Sequence, residues 1–188
     1  MILKQVLKEN RNFRSIMECQ WEASVIVGSL AHGTEYELKE IIKNDLPKIL
    51  LDLFLKALSM NEMKLVEAIC RSLRNIFRYN KSPRHFPYEK EYLEGLLGLL
   101  SEGTSKNDAE TPRTLANATE YTFILLANSC DGAEKQEKLM RQNILLPITT
   151  MIARSDPRSI EPALDLLSAL TRENKEICKS VSKLRCKS

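Results

Sequence analysis

The stretch Gly28-Ser29-Leu30-Ala31-His32-Gly33-Thr34-Glu35 sets a serine and a histidine three residues apart between two glycines. Two readings compete for it: the nucleophile and base of a hydrolase, or the seam between two helices. The residues that precede it decide. Ile16, Cys19, Ala23, Ile26 and Leu30 recur at steps of three or four, which places them on one face of a helix. Ser15 with Glu18 has the S-x-x-E form of a capping box, so that helix is expected to start near Ser15. At the far end Gly33 is suited to a left-handed closing residue, and Thr34 with Glu37 forms a second capping box that opens the next helix. The G-x-S-x-G spacing is not met and no strand leads into the turn, so Ser29 and His32 make a poor catalytic pair. The stretch reads as a helix end, a hinge and a helix start.

The same long helix returns further along. Ile26-Val27-x-x-Leu30-x-His32 aligns with Ile69-Cys70-x-x-Leu73-x-Asn75, Thr122-Phe123-x-x-Leu126-x-Asn128 and Leu166-Leu167-x-x-Leu170-x-Arg172, at steps of 43, 53 and 44 residues. Two of these steps fall in the window of two- and three-helix repeats. The longer one contains SEGTSKNDAETP, residues 101–112, which reads as a polar insertion with no apolar period. A middle helix precedes each long one: Pro47-x-x-Leu50-Leu51-x-x-Phe54 matches Leu93-x-x-Leu96-Leu97-x-x-Leu100 and, more loosely, Pro147-x-x-Thr150-Met151. Short polar helices are expected over 34–45 and 132–143.

Such units cannot bury their apolar faces alone, so they stack into an all-α, right-handed superhelical solenoid of about three to four repeats. The units are a partial repeat at 1–33, repeats at 34–80, 81–131 (with the insertion 101–112) and 132–173, and the start of another at 174–188. Ile2-Leu3-x-x-Val6-Leu7 reads as a middle helix and RENKEICKSVSKL as a first helix, so the solenoid is expected to be truncated at both ends. Apolar edges are expected around Ile2, Leu3 and Val6 and around Ile177 and Val181.

Composition narrows the function classes. With 188 residues, 43% hydrophobic and 28% charged, the chain is an ordinary globular one. A net charge of +3 does not demand nucleic acid or a membrane surface as partner. Charges at Lys4 and Lys8 break the apolar run a signal peptide needs, which predicts a cytoplasmic and nuclear protein. The five cysteines form no C-x-x-C pair and read as reduced thiols, three of them on apolar helix faces. With only His32 and His85 beside them, no metal site is expected.

The Leu-x-Asn close of the long helix, in Leu73-Arg74-Asn75 and Leu126-Ala127-Asn128, resembles the armadillo signature. VIVGSLAHGTEYELKEIIKNDLPKIL (25–50) and KLVEAICRSLRNIF (64–77) resemble the first repeats of the armadillo repeat-containing protein 8 family, the armadillo subunit of the GID/CTLH ubiquitin ligase. The likeness is strongest over 15–80 and weakens toward 180; the segment 101–112 departs from the family pattern. What the resemblance implies is an armadillo-repeat (ARM) scaffold whose partners are the protein subunits of a multi-subunit ubiquitin ligase. It implies no catalytic residues, no cofactor and no small-molecule substrate. An importin-like or catenin-like adaptor for an extended peptide is the alternative, but it calls for a continuous Trp/Asn ladder and the chain has one tryptophan, Trp21.

In an armadillo solenoid the ladder positions facing a bound peptide are here His32, Asn75, Asn128 and Arg172. The competing reading of Asn75 and Asn128 is that their amides tie neighbouring helices together. Arg71, Asn75 and Arg78 recur along one helix with Arg74 beside them, a cationic stripe fit for carboxylates. Its plainer reading is a solvated face with Glu67 pairing Arg71 one turn on. RNIFRYNKSPRHFPYEKEY (74–92) interleaves basic and aromatic residues, yet Ser82-Pro83 and Phe86-Pro87 mark it as an irregular connector covering a repeat junction rather than a nucleic-acid site.

Overall fold

The computed structural model describes residues 2–9, 14–105, 111–154 and 157–184. Among them there is no strand. The helices in chain order are α1 (Ile2–Lys8), α2 (Arg14–Leu30), α3 (Glu35–Lys43), α4 (Leu46–Ser59), α5 (Met63–Phe77), α6 (Lys90–Ser105), α7 (Arg113–Ser129), α8 (Ala133–Arg141), α9 (Leu145–Ala153), α10 (Pro157–Thr171) and α11 (Lys175–Leu184), with a 3-10 turn at Phe86–Tyr88. The long helices α2, α5, α7 and α10 pack side by side in that order, and the middle helices α1, α4, α6 and α9 form a second row against them. Among the described residues no helix is long and apolar enough to cross a membrane.

The central long helix shows why the rows cohere. α5 touches α2, α4 and α7, so its buried surface is wider than one stripe and takes in Ile69, Leu73, Ile76 and Phe77, each 0% exposed. Apolar burial of this kind contributes about 25 cal/mol per Å² removed from water. The rows are then locked by a few polar ties. The Ser72 hydroxyl donates to the Ser24 carbonyl across the α2–α5 contact at 2.6 Å, and Thr122 Oγ1 lies 3.7 Å from Cys70 Sγ between α5 and α7.

Several expectations need correction. The buried stripe of α2 is Gln20, Ala23, Ser24, Val27, Gly28 and Ala31, whereas Cys19, Ile26 and Leu30 are exposed. Both stripes have helical spacing, and the one with smaller residues wins because α5 must approach closely there. Ser15 lies inside α2, which already includes Arg14, rather than at its cap. The Gly/Ser-rich segment after residue 100 continues α6 through Ser105, with Gly103 and Thr104 buried. A side chain at Gly103 would run into Thr119 of α7, so the glycine permits close packing rather than a loop; residues 106–110 of the expected insertion lie outside the described residues. Ile177 is packed into the core at 5% exposure rather than forming an apolar edge, although Ile2 is 77% exposed.

Gly33 is not left-handed, since no described glycine has positive φ. The left-handed turns use other residues: Asp45 (φ 58°) between α3 and α4, Asn143 (φ 55°) between α8 and α9, Asn61 after α4 and Glu173 after α10. Asp and Asn enter this region at least cost among residues with a Cβ. The second capping box is present: the Thr34 N–H donates to the Glu37 carboxylate as α3 begins. Gly33 serves that box, because a Cβ there would sit 2.1 Å from Glu37 Oε2.

No short α-helix precedes α6. In its place the connector closes on itself, with Ser82 Oγ donating to the Ile76 carbonyl at 2.6 Å and the buried Tyr88 hydroxyl donating to the Leu126 carbonyl at 3.3 Å. Lys138 of α8 donates to the Tyr88 carbonyl, which ties the connector to the following unit.

Candidate functional site

The sequence stretch that posed the enzyme question resolves into helix geometry. Ser29 Oγ donates back to the Val25 carbonyl at 3.0 Å, and His32 is exposed on the turn after α2. No hydrogen bond joins the two among the described residues.

Two depressions open between neighbouring long helices. The first, about 200 Å³, lies between α2 and α5 and is lined by Ser29, His32, Arg71 and Asn75. The second, about 350 Å³, lies between α5, α7 and α10 and is lined by Arg74, Arg78, Glu120, Asn128, Glu161 and Asp165, with Ile124 between the charged ends. Five of the six expected contact residues therefore fall in these two places. Arg172 lines neither; it is exposed, and its backbone carbonyl accepts from Gln136 Nε2 at 2.9 Å.

The two ladder asparagines differ. Asn75 is 4% exposed and its amide is committed to the fold. Its Nδ2 donates to the Gly28 carbonyl at 3.1 Å, and its Oδ1 accepts from Arg74 Nε and Nη2 at 3.1 and 3.0 Å, so it joins α2 to α5. Asn128 is half-buried at the second depression, and its buried Nδ2 has no hydrogen-bond partner among the described residues. A buried donor left unpaired costs about 1–3 kcal/mol.

The arginines of α5, Arg71 and Arg74, and Arg78 just past its end also divide. Arg74 stacks on Tyr121, its guanidinium carbon 4.5 Å from the ring centroid, and burial pulls its pKa below the usual arginine range. Arg71 is half-buried and Arg78 exposed. Neither side chain has a hydrogen bond or an ion pair among the described residues. The pairing expected from Glu67 goes elsewhere, for its Oε1 accepts from Asn117 Nδ2 at 2.9 Å. Glu161 and Asp165 on α10 are exposed and likewise carry no side-chain hydrogen bond or ion pair among the described residues. With Glu120 of α7 they are the charged site residues that sequence reasoning missed. The i, i+4 spacing of Glu161 and Asp165 was visible, but nothing in one dimension placed them in the same depression as Arg78.

Stacked helical units with a row of long helices and a row of middle helices define an armadillo-type α solenoid. The chain superposes on the crystal structure of computationally designed armadillo repeat proteins for modular peptide recognition, with a TM-score of 0.65 at 16% identity, over 96% of this chain and 68% of that one. In sequence it is similar to Armadillo repeat-containing protein 8 of Mus musculus, 26% identical over 164 residues, and to that of Xenopus laevis, 25% identical over 165 residues. Each match covers 87% of this chain, and the chain spans about a fifth of the length of these curated relatives, 22% and 21%. No protein-family model matches the chain.

Proposed function

We propose that this chain is a non-catalytic protein-interaction scaffold and a subunit of a GID/CTLH-type ubiquitin ligase, acting in protein degradation in the cytoplasm and nucleus. Its likeness to Armadillo repeat-containing protein 8 supports the assignment to that complex. The observation that carries the binding role is the second depression, where among the described residues Asn128 Nδ2 has no hydrogen-bond partner and the side chains of Arg78, Glu161 and Asp165 have none either. An extended segment laid across the long helices supplies carbonyl oxygens and charged side chains for those groups. A ladder of the importin kind is disfavoured, because Asn75 is already occupied by Gly28 and Arg74.

Two variants on one helix test this. The double change Arg71→Glu and Arg78→Glu alters exposed or half-exposed groups with no partner to lose among the described residues, so the protein stays folded while the face is reversed in charge. Leu73→Ala empties a fully buried site and costs about 2–5 kcal/mol, serving as the control for a purely structural defect. Tagged chain is used to recover partners from the native source. Recovery of RING-type and CTLH scaffold subunits by the unaltered chain, reduced by the folded charge-reversal variant, is the expected result. Recovery of nuclear-import factors alone, or unchanged recovery by the charge-reversal variant, overturns the proposal.

A further inference from the structure

The two ends of the row of long helices leave matching sides uncovered among the described residues. Inside the row each junction joins the forward side of one long helix to the backward side of the next. On α5 the backward side is Ser72 and Asn75, which bond to Ser24 and Gly28 of α2, and the forward side is Glu67 and Cys70, which meet Asn117 and Thr122 of α7. At the first end α2 meets α5 through Ser24 and Gly28, and helical spacing puts Cys19, Ile26 and Leu30 on its opposite side. Ile26 is 45% and Leu30 37% exposed. Cys19 and Ile26, with Leu3 and Val6 of α1, line an open cavity of about 500 Å³ bordered by Glu18 and Glu22. At the other end α10 buries Ala163, Leu166, Ala169 and Leu170 against the core. Leu164 is 46% exposed, with Ile160 and Leu167 half-buried on the same side of the helix. Matching Leu166-Leu167 to Ile69-Cys70 puts Leu164 and Leu167 at the places of Glu67 and Cys70, the forward side.

We infer that a second copy of this chain stacks head to tail on the first, its α2 edge against this α10 edge. The junction between long helices already occurs three times in the chain, α2 with α5, α5 with α7 and α7 with α10, and the two uncovered sides are the halves of a fourth. Both halves are more apolar than their counterparts on α5: Leu164 and Leu167 stand where α5 has Glu67 and Cys70. With Val27 matched to Ile69, both 0% exposed, Ile26 and Leu30 stand where α5 has Ala68 and Ser72. Exposed apolar edges of this kind mark association surfaces. Charge sets the pairing. Glu18 and Glu22 lie along the α2 edge, whereas α11, packed on α10, carries the exposed Lys175, Lys179 and Lys183. Two α2 edges face to face bring the acids together, and an α2 edge on an α10 edge brings acid toward base. The contact is heterologous, so it leaves one open edge on each side and extends into a row of copies. It uses neither depression between the long helices and is independent of the ligase assignment.

The test is sedimentation velocity on the full chain over a rising concentration series, with two variants, Ile26→Asp on the α2 edge and Leu164→Asp on the α10 edge. Both side chains are largely exposed, so the variants keep the fold, which circular dichroism checks. A charge placed in the contact is costly to bury. The unaltered chain is expected to gain mean mass with concentration and to pass beyond the dimer. Every contact needs one edge of each kind, so each variant alone is expected to stay monomeric. An equal mixture of the two is expected to reach twice the monomer mass and stop there, because it holds one intact edge of each kind per pair. An unaltered chain that remains monomeric throughout leaves these edges to a different protein and overturns the proposal. Association of one variant alone points to like edges pairing with each other, and a mixture that stays monomeric places the contact elsewhere; either result overturns it as well.

Discussion

Gly28 of α2 and Ser72 of α5 meet so closely that a Cβ on the glycine would stand 2.5 Å from the serine hydroxyl oxygen. That hydroxyl is held by the Ser24 carbonyl, so it cannot swing aside without losing a buried bond. Gly28→Ala should therefore destabilise the chain by about 1–3 kcal/mol, as overpacking does. Ser72→Ala removes the obstructing atom, so the double variant should be more stable than the sum of the two single losses predicts. A double-mutant cycle by denaturant melts reads this directly, and additive losses would show that the contact relaxes elsewhere.

Gln136 makes a second prediction at the junction of α8, α10 and α11. Its Nε2 donates to the carbonyls of Ala169 and Arg172, and its Oε1 accepts from Asn174 Nδ2, all at 2.9 Å. One buried amide thus closes the C-terminal turn of α10 and holds the start of α11. Gln136→Met keeps the volume but strands those groups, at a cost of about 1–3 kcal/mol. Amide hydrogen exchange in α11 should accelerate more than in α5; uniform acceleration would argue against a local clasp.

Glu35 gives the chain a pH-dependent surface tie. Its carboxylate accepts from the Tyr79 hydroxyl at 2.8 Å and pairs with Lys39 and Lys81 at 3.2 and 3.4 Å. The Tyr79 bond, followed by Lys39, draws its pKa from the usual 4.5 down to about 2. A carboxyl more acidic in the folded state stabilises the fold above its unfolded pKa and loses that contribution as pH falls through the folded one. Glu35→Gln should thus melt below the unaltered chain at neutral pH, with the gap closing between pH 4.5 and about 2. A gap that is constant across that window would remove the tie from consideration.

The thiols should separate by depth. Cys19 and Cys178 are exposed, whereas Cys70 and Cys130 are buried. Burial pushes the Cys70 thiol up to about 12, and burial likewise raises that of Cys130. Because the thiolate is the reactive form, alkylation of the folded chain followed by peptide mapping should mark Cys19 and Cys178. Cys70 and Cys130 should be marked only after unfolding; early labelling of Cys70 would contradict its packing against Thr122.

The helices were legible in the sequence because apolar side chains recur at helical spacing, and the Thr34 capping box was legible because its two partners are adjacent in the chain. The phase of α2 was not. Whether Ile26 or Val27 points inward depends on which stripe α5 meets, and that is a property of the neighbour. Gly33 and Gly103 misled for a related reason. Glycine signals either an unusual backbone angle or a close approach, and both of these glycines make room for a facing group, the Glu37 carboxylate or Thr119. At the candidate site the arginines of α5 were visible as a stripe, but the acids of α10 gained meaning only once the fold set them beside Arg78.

The ties between successive long helices have nearly constant reach along the chain: 47 residues from Gly28 to Asn75, 48 from Ser24 to Ser72, 50 from Glu67 to Asn117 and 52 from Cys70 to Thr122. Each of these two junctions, α2 with α5 and α5 with α7, closes a loop of one unit and no more, so the entropy lost in closing either is much the same. Ordering can therefore begin at any junction and spread to its neighbours. Contact order in absolute terms does not grow as units are added, and the search each unit faces stays local however long the array becomes.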